Sequence, residues 1–287
     1  MPDLIALVGQ PFIVRALLAA ALTGVLGGLL GSHAVLRQLA FFGDALGHSA
    51  LLGVTVGMLL GLQPTLVVIP FAVLFALLVQ TLLQHSRLPA DALLSLVYSS
   101  SLAAAVVLLS LLPAARPRLT ALLFGDILGV SWPDLGLLAL LLLLTLVLLL
   151  PRSRAQILLS FDPLLARSRG VAEGVERLVF LVLLAVVVVV GIRTVGVLLI
   201  SGFVVIPACT ARLLCRRFSR YQLLAALLGG VGAVLGVLAS ALFNLPAGPA
   251  VVVVQMLVFL LTLALANRIR PGRGVPAASG GSDGPGG

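Results

Sequence analysis

Long apolar stretches separated by short polar connections make up most of this chain. Nine of these stretches have about the length of a membrane-spanning helix, for which roughly 20 apolar residues suffice. They lie at about residues 12–32, 41–62, 64–83, 92–112, 133–150, 175–192, 194–214, 222–243 and 248–267. The seventh is interrupted by Gly202 and Pro207, and eight spans remain if it does not cross completely. The pattern predicts an all-α, polytopic transmembrane helix bundle of eight or nine spans.

Composition excludes a soluble fold. Hydrophobic residues make up 61% of the chain and charged residues 9%, whereas a soluble domain carries about a quarter charged residues. The net charge of +9 comes from arginines, because the sequence contains no lysine. A nucleic-acid surface has little support, since aromatic residues make up only 5% and no stretch interleaves arginine with aromatics that could stack on bases.

The arginines predict how the chain lies in the membrane. They cluster in every second connection, at Arg37, Arg87, residues 152–169, residues 212–220 and residues 268–273. By the positive-inside rule these connections and the C-terminus are cytoplasmic. The N-terminus is then outside for nine spans and inside for eight. The loop with Arg116 and Arg118 is an exception to the alternation.

The two ends of the chain differ in character. The N-terminus lacks the basic segment of a cleaved signal, so we expect the first helix to be retained. Residues 1–270 form one transmembrane domain in this interpretation. Residues 271–287 are rich in Pro, Gly and Ser without periodicity, which predicts a disordered tail.

Asp44 and His48 are the most informative polar residues. They stand inside the second apolar window, and their spacing of four puts both on one helix face, roughly 5–6 Å apart at Cβ. A carboxylate at the centre of a membrane helix costs at least about 2.5 kcal/mol, so it usually has a partner or lines a pathway. Carboxylate oxygen and imidazole nitrogen also bind zinc, manganese and ferrous iron. The alternatives are a structural hydrogen-bonded pair, or an aspartate that caps a helix beginning near Gly43.

Three other residues are weaker candidates. His33, at the end of the first window, either reaches the same cavity or is a solvated residue at the membrane interface. Asp126 lies in an apparent external loop, where a gate or a partner contact competes with simple turn chemistry. Asp91 precedes the fourth window and fits a helix N-cap.

Motifs for nucleotide hydrolysis or for intramembrane proteolysis are not found in the sequence. It contains neither GxxxxGK[ST] nor HExxH, and its cytoplasmic connections are too short to hold an ATPase. Serines occur within the spans, but no His and Asp accompany them in the pattern of a serine hydrolase. If nucleotide energises this protein, another chain binds it.

Several ordered motifs resemble the membrane permease subunits of ABC importers for zinc, manganese and iron, whose architecture is type II-like. The basic connection and GDxxxH helix of that family resemble residues 35–53, and its cytoplasmic FDPxxARxxG segment resembles residues 160–170. The remaining resemblances are DALLSLVYSSSLAAAVVLLS at 91–110, LLFGDILG at 122–129, VGVLLISGFVVIPACTARLL at 195–214 and PAGPAVVVV at 246–254.

This resemblance implies a homodimer of permeases, two cytoplasmic ATP-binding subunits and an extracytoplasmic metal-binding protein, in the cytoplasmic membrane of a prokaryote. It implies transport of a divalent metal ion without a permanently bound cofactor. Asp44 and His48 match the translocation helix, whereas His33 has no counterpart in the family's pattern. His33 and Asp126 are further candidates for the pathway from their positions in the sequence alone. The cytoplasmic loop at about 151–174 matches the ATPase-docking segment through Asp162, Pro163, Ala166, Arg167 and Gly170. An importer of an iron chelate or cobalamin with the same architecture is the alternative, and an intramembrane enzyme is a third.

Overall fold

The computed structural model of this chain describes residues 10–110, 125–197, 199–215 and 217–269. These residues form ten α-helices joined by short turns, and no β-strand occurs among them. The helices are α1 Pro11–Leu36, α2 Phe42–Leu59, α3 Pro64–His85, α4 Ala90–Ser110, α5 Trp132–Phe161, α6 Pro163–Ser168, α7 Glu173–Val195, α8 Ile200–Leu214, α9 Phe218–Phe243 and α10 Ala247–Ile269. The predicted tail at 271–287 and the loop with Arg116 and Arg118 lie outside the described residues.

Eight of the helices in the described ranges are long and apolar enough to cross a membrane, and α8 is a shorter apolar helix. Each predicted window coincides with one of these nine helices, which confirms the polytopic bundle. α7, α1 and α2 are the most buried, whereas α4 and α10 expose most of their surface.

Contacts between helix ends define two ends of the bundle. At one end, here called the far end, α5 begins beside the end of α7, and Asp134 lies 3.2 Å from Arg193. At the other, called the basic end, α1 ends beside the start of α9, and His33 contacts Gln222. Most of the described arginines lie at the basic end: Arg37, Arg87, Arg152, Arg154, Arg167, Arg169, Arg177, Arg212, Arg217, Arg220 and Arg268.

The short helix α8 returns the chain from the far end to the basic end. Near its start Ile200 packs against Gly191, one turn before the end of α7. Near its end Ala211 packs against Tyr221 in the first turn of α9. Its 15 residues rise about 22 Å, less than the roughly 30 Å of a bilayer core. Within the described residues the chain therefore passes nine times between the two ends, and one of these passes is shorter than a membrane span.

Glycines bring α1 very close to two neighbours. A Cβ at Gly24 or Gly28 would collide with backbone carbonyl oxygens of α9, and one at Gly27 or Gly31 with those of α8. Close backbone approach is how membrane helices associate in the absence of a hydrophobic driving force. The two glycine pairs therefore explain why α1 is sandwiched between α8 and α9.

The fifth span is longer than its apolar window. We expected it to end near residue 150 and a loop to follow, but α5 continues through Pro151 to Phe161. Proline removes one backbone hydrogen bond from a helix interior. Polar contacts beyond the proline support the extension, since Arg37 donates hydrogen bonds to Gln156 and Ser160. Hydropathy alone does not reveal such contacts.

Candidate functional site

An open groove between α2, α4 and α8 exposes the side chain of Asp44. This residue lies in the first turn of α2, is half-buried, and lines the groove with Ser201 and Gly202 of α8. The positive end of the α2 dipole favours a carboxylate at this position. The N-cap of α2 is Phe41, so Asp44 is not the capping residue considered above. Within the described ranges, no protein group donates a hydrogen bond to the Asp44 carboxylate.

The same groove contains a second carboxylate, whose place there the sequence did not reveal. Asp91 and Ser95, in the first two turns of α4, line the groove opposite α8. Asp91 lies inside the first turn of α4, which begins at Ala90, rather than at its N-cap. The groove has a volume of about 610 Å³ and is open along one side. Two aspartates and two serines therefore line one open groove.

His48 lies one turn further along α2 and is oriented by two neighbours. Its Nδ1 is 3.0 Å from the backbone carbonyl oxygen of Asp44, and its ring packs edge-on against Tyr98 at 4.8 Å. Because a carbonyl can only accept, Nδ1 carries the proton. In the neutral ring this leaves the lone pair on Nε2, as in histidines that bind metals.

The structure places His33 elsewhere. It is 1% exposed in the core at the basic end, where Nε2 lies 3.1 Å from the side-chain amide of Gln222. Its ring packs between Phe180 and Phe218, with centroid distances of 5.9 and 4.9 Å. His33 is thus neither a solvated residue nor part of the groove's lining.

Asp126 acts in a turn at the far end. Its Oδ1 accepts a hydrogen bond of 2.9 Å from the backbone of Gly129, and its own N–H donates to the carbonyl of Arg193. The first contact is the short-range bond by which aspartate stabilises turns. Of the motif at 122–129, only residues 125–129 are described.

The predicted docking segment folds as a capped single helix, α6. Asp162 is its N-cap and accepts 2.9 Å from the backbone of Leu165, and Pro163 follows at the first helical position. Ala166 is fully buried. Gly170 ends the helix at φ +76°, with its N–H bonded to the carbonyl of Arg167.

An ion pair and a second backbone hydrogen bond hold the rest of this segment. Arg167 lies 2.6 Å from Glu173 in the first turn of α7, and Val171 N–H bonds to the carbonyl of Ala166. This second backbone bond completes the glycine C-terminal motif of α6. Apolar side chains remain uncovered beside it, with Phe161 72% and Leu164 76% exposed.

No group of three or more His, Cys, Asp or Glu side chains that could hold a metal ion occurs in the part of the chain that the structure describes. Asp44 and His48 are thus at most part of a coordination shell. Zinc takes four ligands at structural sites, and at catalytic sites one of the four is water or substrate.

Comparisons with known proteins show the family of the chain. The ABC 3 transport family matches residues 9–266. The manganese transport system membrane protein MntC of Listeria innocua is 29% identical over 257 residues, 90% of this chain and 91% of the relative. The high-affinity zinc uptake system membrane protein ZnuB of Haemophilus influenzae is 31% identical over 264 residues, 88% of this chain and 98% of the relative.

A solved structure shows the same fold. PsaBC from Streptococcus pneumoniae in complex with Fab superimposes with a TM-score of 0.78 at 28% identity, covering 91% of this chain and 94% of that one. These matches span nearly the whole described bundle, and they confirm the resemblance seen in the sequence motifs. This chain therefore belongs to the ABC 3 transport family and is a membrane permease of an ABC transporter.

Proposed function

We propose that this protein is the permease subunit of an importer of divalent transition-metal ions, zinc or manganese, with iron as a further candidate. The observation that carries the proposal is Asp44, a carboxylate without a protein hydrogen-bond donor among the described residues that lines an open groove, followed one turn later by His48. The names of the relatives support the cargo, since those relatives are manganese and zinc uptake proteins.

In this proposal the ion passes Asp44 and the free Nε2 of His48 without being retained. A site with few protein ligands suits this task, because conduction requires binding that is weak enough to release the ion. Asp91 and Ser95 provide further oxygen atoms along the same groove. The ion is thus cargo and not a resident cofactor.

The groove needs a cover in the membrane. Charged side chains are costly against lipid and usually face a bundle interior or a water-filled cavity. A second copy of this permease is the proposed cover, so that the pathway runs between two copies and each supplies Asp44 and His48.

The basic end is the proposed cytoplasmic side, where arginines are retained. A separate ATP-binding subunit would dock on α6 there. The exposed Phe161 and Leu164 are suitable anchors, because apolar side chains that fill pockets dominate the energetics of interfaces. An extracytoplasmic metal-binding protein would deliver the ion to the far end.

Replacement of Asp44 by asparagine tests the proposal. Asparagine keeps the size but removes the charge, and we expect metal uptake at subsaturating concentration to fall at least about tenfold, since even indirect supporters of a metal site are worth 10–100-fold. The measurement is uptake of radioactive zinc or manganese into proteoliposomes that contain the permease, its ATPase and its binding protein. Normal uptake by a fully assembled Asp44→Asn complex would refute the role of Asp44.

Asp126→Asn is the matched control. Asparagine can form the same turn bond to Gly129, so uptake should stay within about twofold of wild type. Parallel assays with an iron chelate and with cobalamin separate the alternative cargo, for which Asp44 would be dispensable.

A further inference from the structure

A half-buried guanidinium connects three helices at the basic end. Arg37, the residue after α1, donates from Nε to Ser160 Oγ at 3.2 Å and from Nη2 to the Gln156 carbonyl at 3.3 Å and to its side-chain oxygen. Its Cζ lies 4.7 Å from the ring centroid of Phe180. One side chain thus joins the end of α1 to both α5 and α7.

Gln156 extends this hydrogen-bond network to the start of α7. It is 1% exposed, and its Nε2 donates to the Glu176 carbonyl at 3.0 Å and to the Glu176 carboxylate at 2.7 Å. Arg152 lies 3.3 Å from the same carboxylate. The hydrogen bonds of Gln156 therefore hold together α5 and α7, the two helices that flank α6. We call Arg37, Gln156 and Glu176 the Arg37 clamp.

A second contact ties α6 itself to the helix that carries Glu176. Glu173 accepts from Arg167 of α6 at 2.7 Å and from Arg177 of α7 at 2.7 Å. Glu173 and Glu176 occupy the first turn of α7. The ion pairs of Glu173 therefore connect α6 to the first turn of α7, and Gln156 is hydrogen-bonded to the same turn.

Arg37 is also the first residue of the connection between α1 and α2. The connection between α1 and α2 is bonded to both helices, since Leu39 N–H donates to Ala34 at 2.9 Å and Phe42 N–H donates to Leu39 at 3.0 Å. Leu39 is 4% exposed. Asp44 follows within the first turn of α2. A short, hydrogen-bonded connection thus joins Arg37 to the helix start that carries Asp44.

Arg37 keeps its charge in a partly buried position. Burial, with the nearby positive charge of Arg177, lowers the pKa of Arg37 to about 10, although Glu176 partly compensates. Arg37 is still protonated at neutral pH, so the bundle bears the cost of a buried charge. Apolar residues of similar volume often replace buried charged groups without loss of stability.

We propose that Arg37 is a positioning residue that couples movement of α6 to the orientation of α2, and hence of Asp44. The inference rests on the proposed function, in which an ATP-binding subunit acts on α6. Hydrogen-bond networks between rigid helices are one physical means by which two sites are coupled.

The test replaces Arg37 by methionine, which keeps an unbranched apolar stem and removes the charge and the hydrogen-bond donors. In proteoliposomes with the complete transporter, we expect ATP hydrolysis and co-purification of the ATPase to persist. Metal transported per ATP should fall by about 3- to 30-fold, the range found for coupling mutations. Arg154→Met is the matched control, because Arg154 is an exposed arginine on the same extension of α5, and its ratio should stay within about twofold of wild type.

A wild-type ratio in Arg37→Met would overturn the proposal, and so would loss of the ATPase from the complex, which would make Arg37 merely structural. If Arg37→Met does not assemble, Arg37→Lys gives the same decision. Lysine keeps the charge but donates from one nitrogen only. It therefore cannot bond to Ser160 and Gln156 with the geometry of the guanidinium group. A ratio of metal transported per ATP between those of wild type and Arg37→Met supports the proposed role of Arg37, and a wild-type ratio contradicts it.

A readout that needs no metal separates this inference from the proposed cargo. With Cys209 and Cys215 replaced by alanine, Ser95→Cys places one thiol in the groove. Its labelling rate should change when ATP is added to the complex, and Arg37→Met should abolish that change while hydrolysis continues. A change that survives Arg37→Met refutes the clamp whatever the cargo. If the clamp behaves as expected but no metal is transported, only the cargo assignment fails.

Discussion

At the scale of single residues, the docking motif is explained by local structure. Asp162 caps α6, Ala166 is buried, Arg167 binds Glu173 and Gly170 adopts a positive φ. Each of these tasks restricts the residue type, since capping requires a side-chain acceptor and a left-handed C-terminal residue favours glycine. The motif therefore specifies a rigid, exposed helix, and its role in binding an ATPase is a prediction that follows from this shape.

Asp162→Ala tests whether the cap matters for docking. Loss of an N-cap typically costs about 1 kcal/mol, so the dissociation constant for the ATP-binding subunit should rise about fivefold if α6 must be helical when it binds. The measurement is a titration of that subunit onto the permease in nanodiscs.

Asp162→Asn is the control for the cap, because asparagine caps about as well as aspartate. Its affinity should match that of wild type. Equal losses for both variants would show that the carboxylate charge acts on the partner directly, and no loss in either would remove the cap from the docking mechanism.

Asp44 and Asp91 show what a sequence reveals about a single residue. Asp44 could be found because a carboxylate inside an apolar window is costly and needs a reason. Asp91 precedes its window, where an aspartate is ordinary, and its place in the groove depends on how α4 packs beside α2. His33 could not be placed for the same reason, since its contacts come from Gln222, 189 positions later.

At the scale of helices, hydropathy predicted the number and approximate bounds of the nine apolar helices. It placed the end of the fifth span too early, because the extension of α5 past Pro151 depends on bonds from Arg37 and to Glu176. It also left α8 undecided between a full and a partial span. The direction of α8 follows from its tertiary contacts. The helix is short because α7 continues to Val195 and α8 begins only at Ile200.

Gly24→Ala tests the close packing of α1 against α9. The added methyl group would collide with the carbonyl oxygen of Gly229, and a backbone oxygen cannot rotate away as a side chain can. We expect destabilisation of about 1–3 kcal/mol, as for other overpacked sites, seen as a lower melting temperature of the purified permease in detergent.

Gly136→Ala is the matched control on α5. A Cβ there meets no atom within 4 Å, and alanine is favoured over glycine in a helix by about 0.5–1 kcal/mol. Its melting temperature should be unchanged or slightly higher. Equal melting temperatures for the two variants would contradict the packing that we describe for α1.

At the scale of the whole molecule, two surfaces lie at different places on one rigid core. The groove with Asp44 lies between the first turns of α2 and α4 and the helix α8, whereas α6 lies between α5 and α7. α1 and α7 pack between the elements that form these surfaces, and they are among the most buried helices. A core of this kind transmits displacement rather than absorbing it, because tightly packed interiors have low compressibility.

The groove also makes a prediction about stoichiometry. If one ion is held by Asp44 and His48 from two copies, a dimer with a single Asp44→Asn copy should lose most of its uptake, to about a tenth or less, whereas independent pathways would leave half. Co-expression of two differently tagged copies, followed by two-step purification, isolates the mixed dimer. Uptake by the mixed dimer is then compared with both pure dimers in proteoliposomes. A value near half of wild type would place a complete pathway in each copy, and the second copy would then have to be replaced as the cover of the groove by some other partner.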